Sequence, residues 1–165
     1  MSVSPLPDVF GHTIFCDDVR FEDGGKLSLI GVYQGQMFIH ADFPVTLPKF
    51  GIVVRYHERI GSRSDPLVLK IFLPGDPDDA PTFSAQVPVD ELRKAGEALS
   101  SEEKKTENGE IKFHIMQAPI ILSPFVLKGP GAIKVRAVCG DEIIRMGALT
   151  IEKAAVAPPI SPNVS

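Results

Sequence analysis

The strongest constraint on this chain is a period of two. From Lys49 to Glu58, Phe50, Ile52, Val54 and Tyr56 alternate with Gly51, Val53, Arg55 and His57. The same period returns at Leu67, Leu69 and Ile71, and again at Ile133, Val135, Ala137 and Cys139. Successive side chains of a strand point to opposite faces, so each of these runs presents one apolar face to a core. The 15 prolines spread along the 165 residues remove backbone donors throughout, which a bundle of long helices does not tolerate. Both features predict an all-β chain with Phe50, Ile52, Val54, Leu67, Leu69, Ile71, Ile133 and Val135 in its core.

Turn chemistry orders the strands. Phe10 to Arg20 and Lys26 to Tyr33 read as strands around Glu22-Asp23-Gly24-Gly25, whose glycines supply the positive φ of a tight hairpin. Met37-Phe38-Ile39 continues the sheet until Pro44 and Pro48 interrupt it. Phe83, Ala85, Val87 and Val89 form a further strand, as do Ile111, Phe113 and Ile115. Gly140-Asp141 turns the strand from Ile133 to Cys139 back into Glu142 to Glu152. In that last strand Ile144, Met146 and Ala148 share one parity and Leu149 and Ile151 the other, which predicts a β-bulge near Gly147.

The stretch from Asp90 to Glu110 breaks the pattern. Asp90 suits the N-cap of a short helix ending near Ala95, and the remainder is a solvated connection; the whole stretch carries seven acidic and four basic residues. About eight strands with short turns and no βαβ alternation predict an antiparallel β-sandwich, Ig-like in general shape, with a closed barrel as the alternative. The expected organisation is an N-terminal extension over residues 1–9, one sandwich domain over residues 10–153 and a Pro-rich tail over residues 154–165.

Charge and hydropathy limit the function. Lys and Arg number 17 against 21 Asp and Glu, a net charge of −4, and this acidic balance argues against a general nucleic-acid binder. The first residues, Met1 to Asp8, have neither the basic nor the apolar region of a secretory signal. The longest apolar stretch, Phe113 to Leu127, is interrupted by His114, Gln117, Pro119, Ser123 and Pro124, short of the ~20 residues that span a bilayer. A cytoplasmic protein without membrane partners is expected. Cys16 and Cys139 are then expected as buried, free thiols.

Chemistry-bearing motifs are sparse. His12 and Cys16 share a strand face but lie about 13 Å apart at strand rise, too far to share a metal. Asp76, Asp78 and Asp79, in Pro74-Gly75-Asp76-Pro77-Asp78-Asp79, form the one candidate metal site, a loop of carboxylates of the kind Ca²⁺ takes. The same residue types also build ordinary exposed turns. The nucleophile elbow, the phosphate-binding loops and H-E-x-x-H are missing, and no cofactor is expected. An enzyme would need a site assembled across the fold, for example Asp17 or Asp18 meeting His57 or His114.

Phe15-Cys16-Asp17-Asp18-Val19-Arg20, followed by Gly25-Lys26-Leu27-Ser28-Leu29-Ile30-Gly31-Val32-Tyr33, resembles the opening hairpin of an uncharacterised family of small bacterial β-rich proteins. Gly131 to Glu152 is more loosely similar to that family's closing strands, so the resemblance runs from about Phe10 to about Lys153. It implies a compact bacterial domain and no particular activity.

One segment stands out. Ile120-Ile121-Leu122 and Phe125-Val126-Leu127 are apolar on both parities, while Pro119 and Pro124 deny continuous pairing. This places the segment at an edge or a bend, covered by the Asp90–Glu110 connection or left as the surface of a homodimer. The expected function is a non-catalytic binding or protein-interaction domain.

Overall fold

The computed structural model describes residues 7–60, 65–87 and 113–155. Among the described residues twelve strands follow one another: β1 (Val9–Cys16), β2 (Asp18–Glu22), β3 (Lys26–Ile30), β4 (Gln36–Ile39), β5 (Val45–Leu47), β6 (Phe50–Arg59), β7 (Leu67–Phe72), β8 (Phe83–Val87), β9 (Phe113–Leu122), β10 (Phe125–Leu127), β11 (Gly131–Cys139) and β12 (Glu142–Lys153). They form a three-stranded sheet β1-β6-β9, a five-stranded sheet β4-β12-β11-β7-β8 and two ribbons, β2-β3 and β5-β10. The protein is mainly β, with one 3₁₀ turn, Asp23–Gly25, and no α-helix among the described residues. The short helix expected from Asp90, the polar connection around it and most of the Pro-rich tail lie outside the described residues.

Two expectations need correction. The sheets are not purely antiparallel: β4 runs parallel to the end of β12, with Gln36 opposite Thr150 and Ile39 opposite Lys153. A parallel neighbour needs a long crossover, and more than a hundred residues of chain separate these two strands, so nothing forbids it. Phe10 to Arg20 is also not one strand. The ladder breaks at Asp17, whose amide donates to the carbonyl of Ile30 at 2.9 Å, while the Tyr33 amide donates to that of Phe15 at 2.9 Å. β1 pairs with β6, and past Asp17 the chain leaves that sheet to form the β2-β3 ribbon. That ribbon covers the outer face of the three-stranded sheet, where Val19, Leu27 and Leu29 pack on Cys16, Val53 and Ile14.

The main core draws on the inner faces of both larger sheets. All eight residues expected in it are buried, none more than 3% exposed. Phe50 carries an aromatic cluster, with ring centroids of Phe125 at 5.1 Å, Tyr33 at 6.1 Å and Phe15 at 6.3 Å. The bulge in β12 is present: Val135 faces Gly147 and Arg136 faces Arg145, leaving Met146 as the extra residue. The insertion lets Met146 and Leu149, three apart, both point inward.

At the bulge β12 meets β1 without a ladder between them. Thr13 lies against Gly147, and Gly11 lies against the end of the Met146 side chain. A Cβ on Gly11 would also stand 2.5 Å from the carbonyl oxygen of Arg55, which is backbone and cannot step aside. Gly11→Ala should therefore destabilise the protein by about 1–3 kcal/mol. Gly129→Ala, where a Cβ meets nothing within 4 Å, should not. Urea unfolding of the two variants against the parent measures this, and equal midpoints for both would refute the close seam.

Candidate functional site

The seam between β1 and β12 closes one side of the core. On the other side β9 and β8 end their sheets, and neither has another strand neighbour among the described residues. An apolar cavity of about 320 Å³ opens between them, walled by Ile52, Ile71, Leu73, Ile120, Leu122 and Phe125. Phe83 from β8 and Ile121 from β9 stand at its rim, 42% and 37% exposed.

The sequence builds this groove through its doubly apolar segment. Ile120 and Leu122 sit opposite Ile52 and Phe50, so they share the inner face of β6. Ile121, opposite Gly51, has the other parity and reaches the rim. Beyond Leu122 the Ser123 hydroxyl donates to the Pro48 carbonyl at 2.9 Å, and the chain turns into β10, which pairs with β5. The segment thus forms both an edge and a bend. Whether residues 90–110 cover it lies outside the described residues.

A second cavity of about 430 Å³ adjoins the first, sharing Leu73, Thr82 and Phe125 with it. Its other walls include Pro74, Asp76, Val126, Leu127, Lys128 and Pro130. Here stands the first of the candidate calcium ligands. Asp76 Oδ2 accepts the amides of Leu73 and Thr82, both at 2.8 Å, and closes the loop between β7 and β8. These bonds, the Leu73 amide first, hold its carboxyl below the usual carboxylate range. Asp78 accepts from the Lys134 ammonium at 2.9 Å, and Asp79 stays on the exposed turn. Among the described residues, no group of three or more His, Cys, Asp or Glu side chains is placed to hold a metal ion.

The aspartates and histidines suggested for an enzyme have other partners. The Tyr33 hydroxyl donates to Asp17 Oδ1, and burial followed by Asp17 raises the Tyr33 pKa. Asp18 accepts from Lys49 at 2.8 Å and from Arg20 at 3.4 Å. On the outer face of the three-stranded sheet His57 stacks on Phe10 at 4.6 Å, with His12 at 6.3 Å. His114 lies opposite Glu58 in the β6-β9 register. Glu58 is buried and accepts the Tyr56 hydroxyl at 2.7 Å. Sequence reasoning passed over Glu58, although it continues the inward parity of Phe50, Ile52, Val54 and Tyr56. Both cysteines are free and buried, and burial is the first cause raising the Cys16 thiol pKa.

The histidine cluster carries a pH dependence. Burial, then His12 and Arg55, lower the pKa of His57 from its ordinary value. The unfolded chain, whose histidine titrates near 6.5, therefore takes up the proton first as the pH falls. The stability present above about pH 6.5 is lost as the pH drops through the folded value of His57. Urea midpoints measured at pH 7.5 and at pH 5 should fall less for His57→Gln than for the parent. Parallel losses in the two proteins would assign the effect to other groups.

Comparison with protein-family models, curated proteins and solved structures finds no match to this chain.

Proposed function

We propose that this protein is a non-catalytic binding domain whose site is the groove between β8 and β9. In the same proposal the two larger sheets stack as a β-sandwich, Ig-like in general shape, and the chain groups with the small bacterial family its opening hairpin resembles. One observation carries the functional reading: an apolar cavity of about 320 Å³ opens between two strand edges with large apolar side chains at its rim.

Ligand sites are concave and mostly apolar, with volumes of roughly 300–1,000 Å³, and this groove lies at the lower end of that range. Three of the large exposed apolar side chains, Phe83, Ile121 and Val126, belong to the two adjoining cavities. Grouped exposed apolar surface of this kind marks a contact site more often than scattered single residues do. Among the described residues Asp17 pairs with Tyr33 and Asp18 with Lys49 and Arg20, not with His57 or His114, which favours the groove as the site.

A neutral fluorescent apolar dye such as N-phenyl-naphthylamine should bind the native protein. Phe83→Glu and Ile121→Glu, which place a charge at the rim, should each weaken it about tenfold, a difference of about 1.4 kcal/mol. Both side chains are exposed at the rim, so the variants should keep the parent's circular dichroism and melting temperature. Dye binding that is absent, or unchanged in both variants, would refute the site.

A further inference from the structure

The two adjoining cavities differ in chemistry, and the difference indicates what kind of molecule fits. The 320 Å³ section is walled mainly by aliphatic and aromatic side chains and holds no charged one, whereas the 430 Å³ section contains Asp76 and Lys128. Leu73, Thr82 and Phe125 line both, so the sections are neighbours, and a molecule reaching past these side chains would occupy both. The polar section holds one charge of each sign, and they are not equivalent. The Asp76 carboxylate is already used inside the protein, with one oxygen accepting two backbone amides. Lys128 forms no ion pair among the described residues, and it acts on Asp76 only as a nearby charge. Among the described residues Lys128 is thus the one cationic side chain lining either section, and it stands near a carboxylate that the loop amides already bind.

An extended peptide fits less well. Strand addition depends on a row of free backbone donors and acceptors along the edge. β9 carries Pro119, which has no N–H to offer. Resting on the groove reading above, we propose that the ligand is a small amphipathic anion, with its hydrocarbon part between β8 and β9 and its acidic head group at Lys128.

The test is displacement of the bound dye by three molecules with the same twelve-carbon chain, dodecanoate, dodecanol and dodecyltrimethylammonium, each below its micellar concentration. Dodecanoate should displace the dye at about one tenth of the concentration the alcohol needs, and the cationic chain should be the weakest. Lys128→Glu should remove the preference for dodecanoate while leaving dodecanol displacement unchanged. Because Lys128 is exposed, the variant should melt with the parent. Equal displacement by all three chains, or a preference that survives Lys128→Glu, would overturn the head-group assignment and leave the groove intact as an apolar site. Failure of the dye itself to bind would instead strike the groove reading. Light scattering supplies one more arm. A mass near 17.9 kDa is expected, whereas twice that mass, reverting to monomer in Ile121→Glu, would place a second copy on the rim and overturn the small-molecule proposal.

Discussion

The structure depends on β6 being covered on both faces. Inward, Phe50, Ile52, Val54 and Tyr56 meet the five-stranded sheet, and outward, Gly51 and Val53 lie under the β2-β3 ribbon. Side chains of this size contribute roughly 1.5–3 kcal/mol each when withdrawn from water, so this one strand anchors a large share of the core. Its register is correspondingly rigid. A slip of one residue would send Phe50 and Ile52 out under the ribbon and bring Arg55 and His57 into the core. At Gly51 the fit has no slack, since a Cβ there would stand 2.6 Å from Val19 Cγ2 and 2.8 Å from Cys16 Sγ.

Covering both faces of β6 requires the chain to change sheets within a few residues, and Asp17 is where it does so. Its amide is satisfied by the carbonyls of Ile30 and Gly31, and its carboxylate by the Tyr33 hydroxyl, so the break leaves its polar groups paired. Tyr33 in turn packs its ring on Phe50. The break is thus tied to the aromatic centre of the core, and the ribbon that follows it is placed over Cys16 and Val53.

Much of this was legible in the residues. Period two marked the strands, and the parity change around Gly147 located a bulge whose extra residue is Met146. What could not be read was partnership. The run from Phe10 to Arg20 keeps strand character through Asp17, and nothing local says that β1 pairs with β6 while β2 pairs with β3. The parallel seat of β4 beside β12 likewise depends on residues more than a hundred positions apart. The groove was half visible. Ile120-Ile121-Leu122 showed that both parities were apolar, but its opposite wall, Ile71, Leu73 and Phe83, comes from β7, β8 and the loop between them. The Asp76–Asp79 loop shows the converse. Its composition suited a cation, while the contacts it makes, Asp76 with two loop amides and Asp78 with Lys134, are ones a sequence does not reveal.

The side of the core where β8 and β9 end their sheets raises a question of selection between risks. An exposed apolar edge invites pairing with other chains, and proteins commonly blunt such edges with proline, charge or short strands. One of these devices is present, Pro119 within β9. It acts on the backbone ladder. It does not remove apolar side chains, and Phe83, Ile121 and Val126 remain exposed beside two cavities. If avoiding aggregation were the only constraint, polar replacements at these three positions would cost the core little, because none of them is among its buried residues. An edge guarded against strand addition, yet still apolar at its rim, is what a site for a small apolar-tailed ligand requires. In the proposed reading, Pro119 works against strand addition along β9 while the side chains at the rim stay available to a ligand.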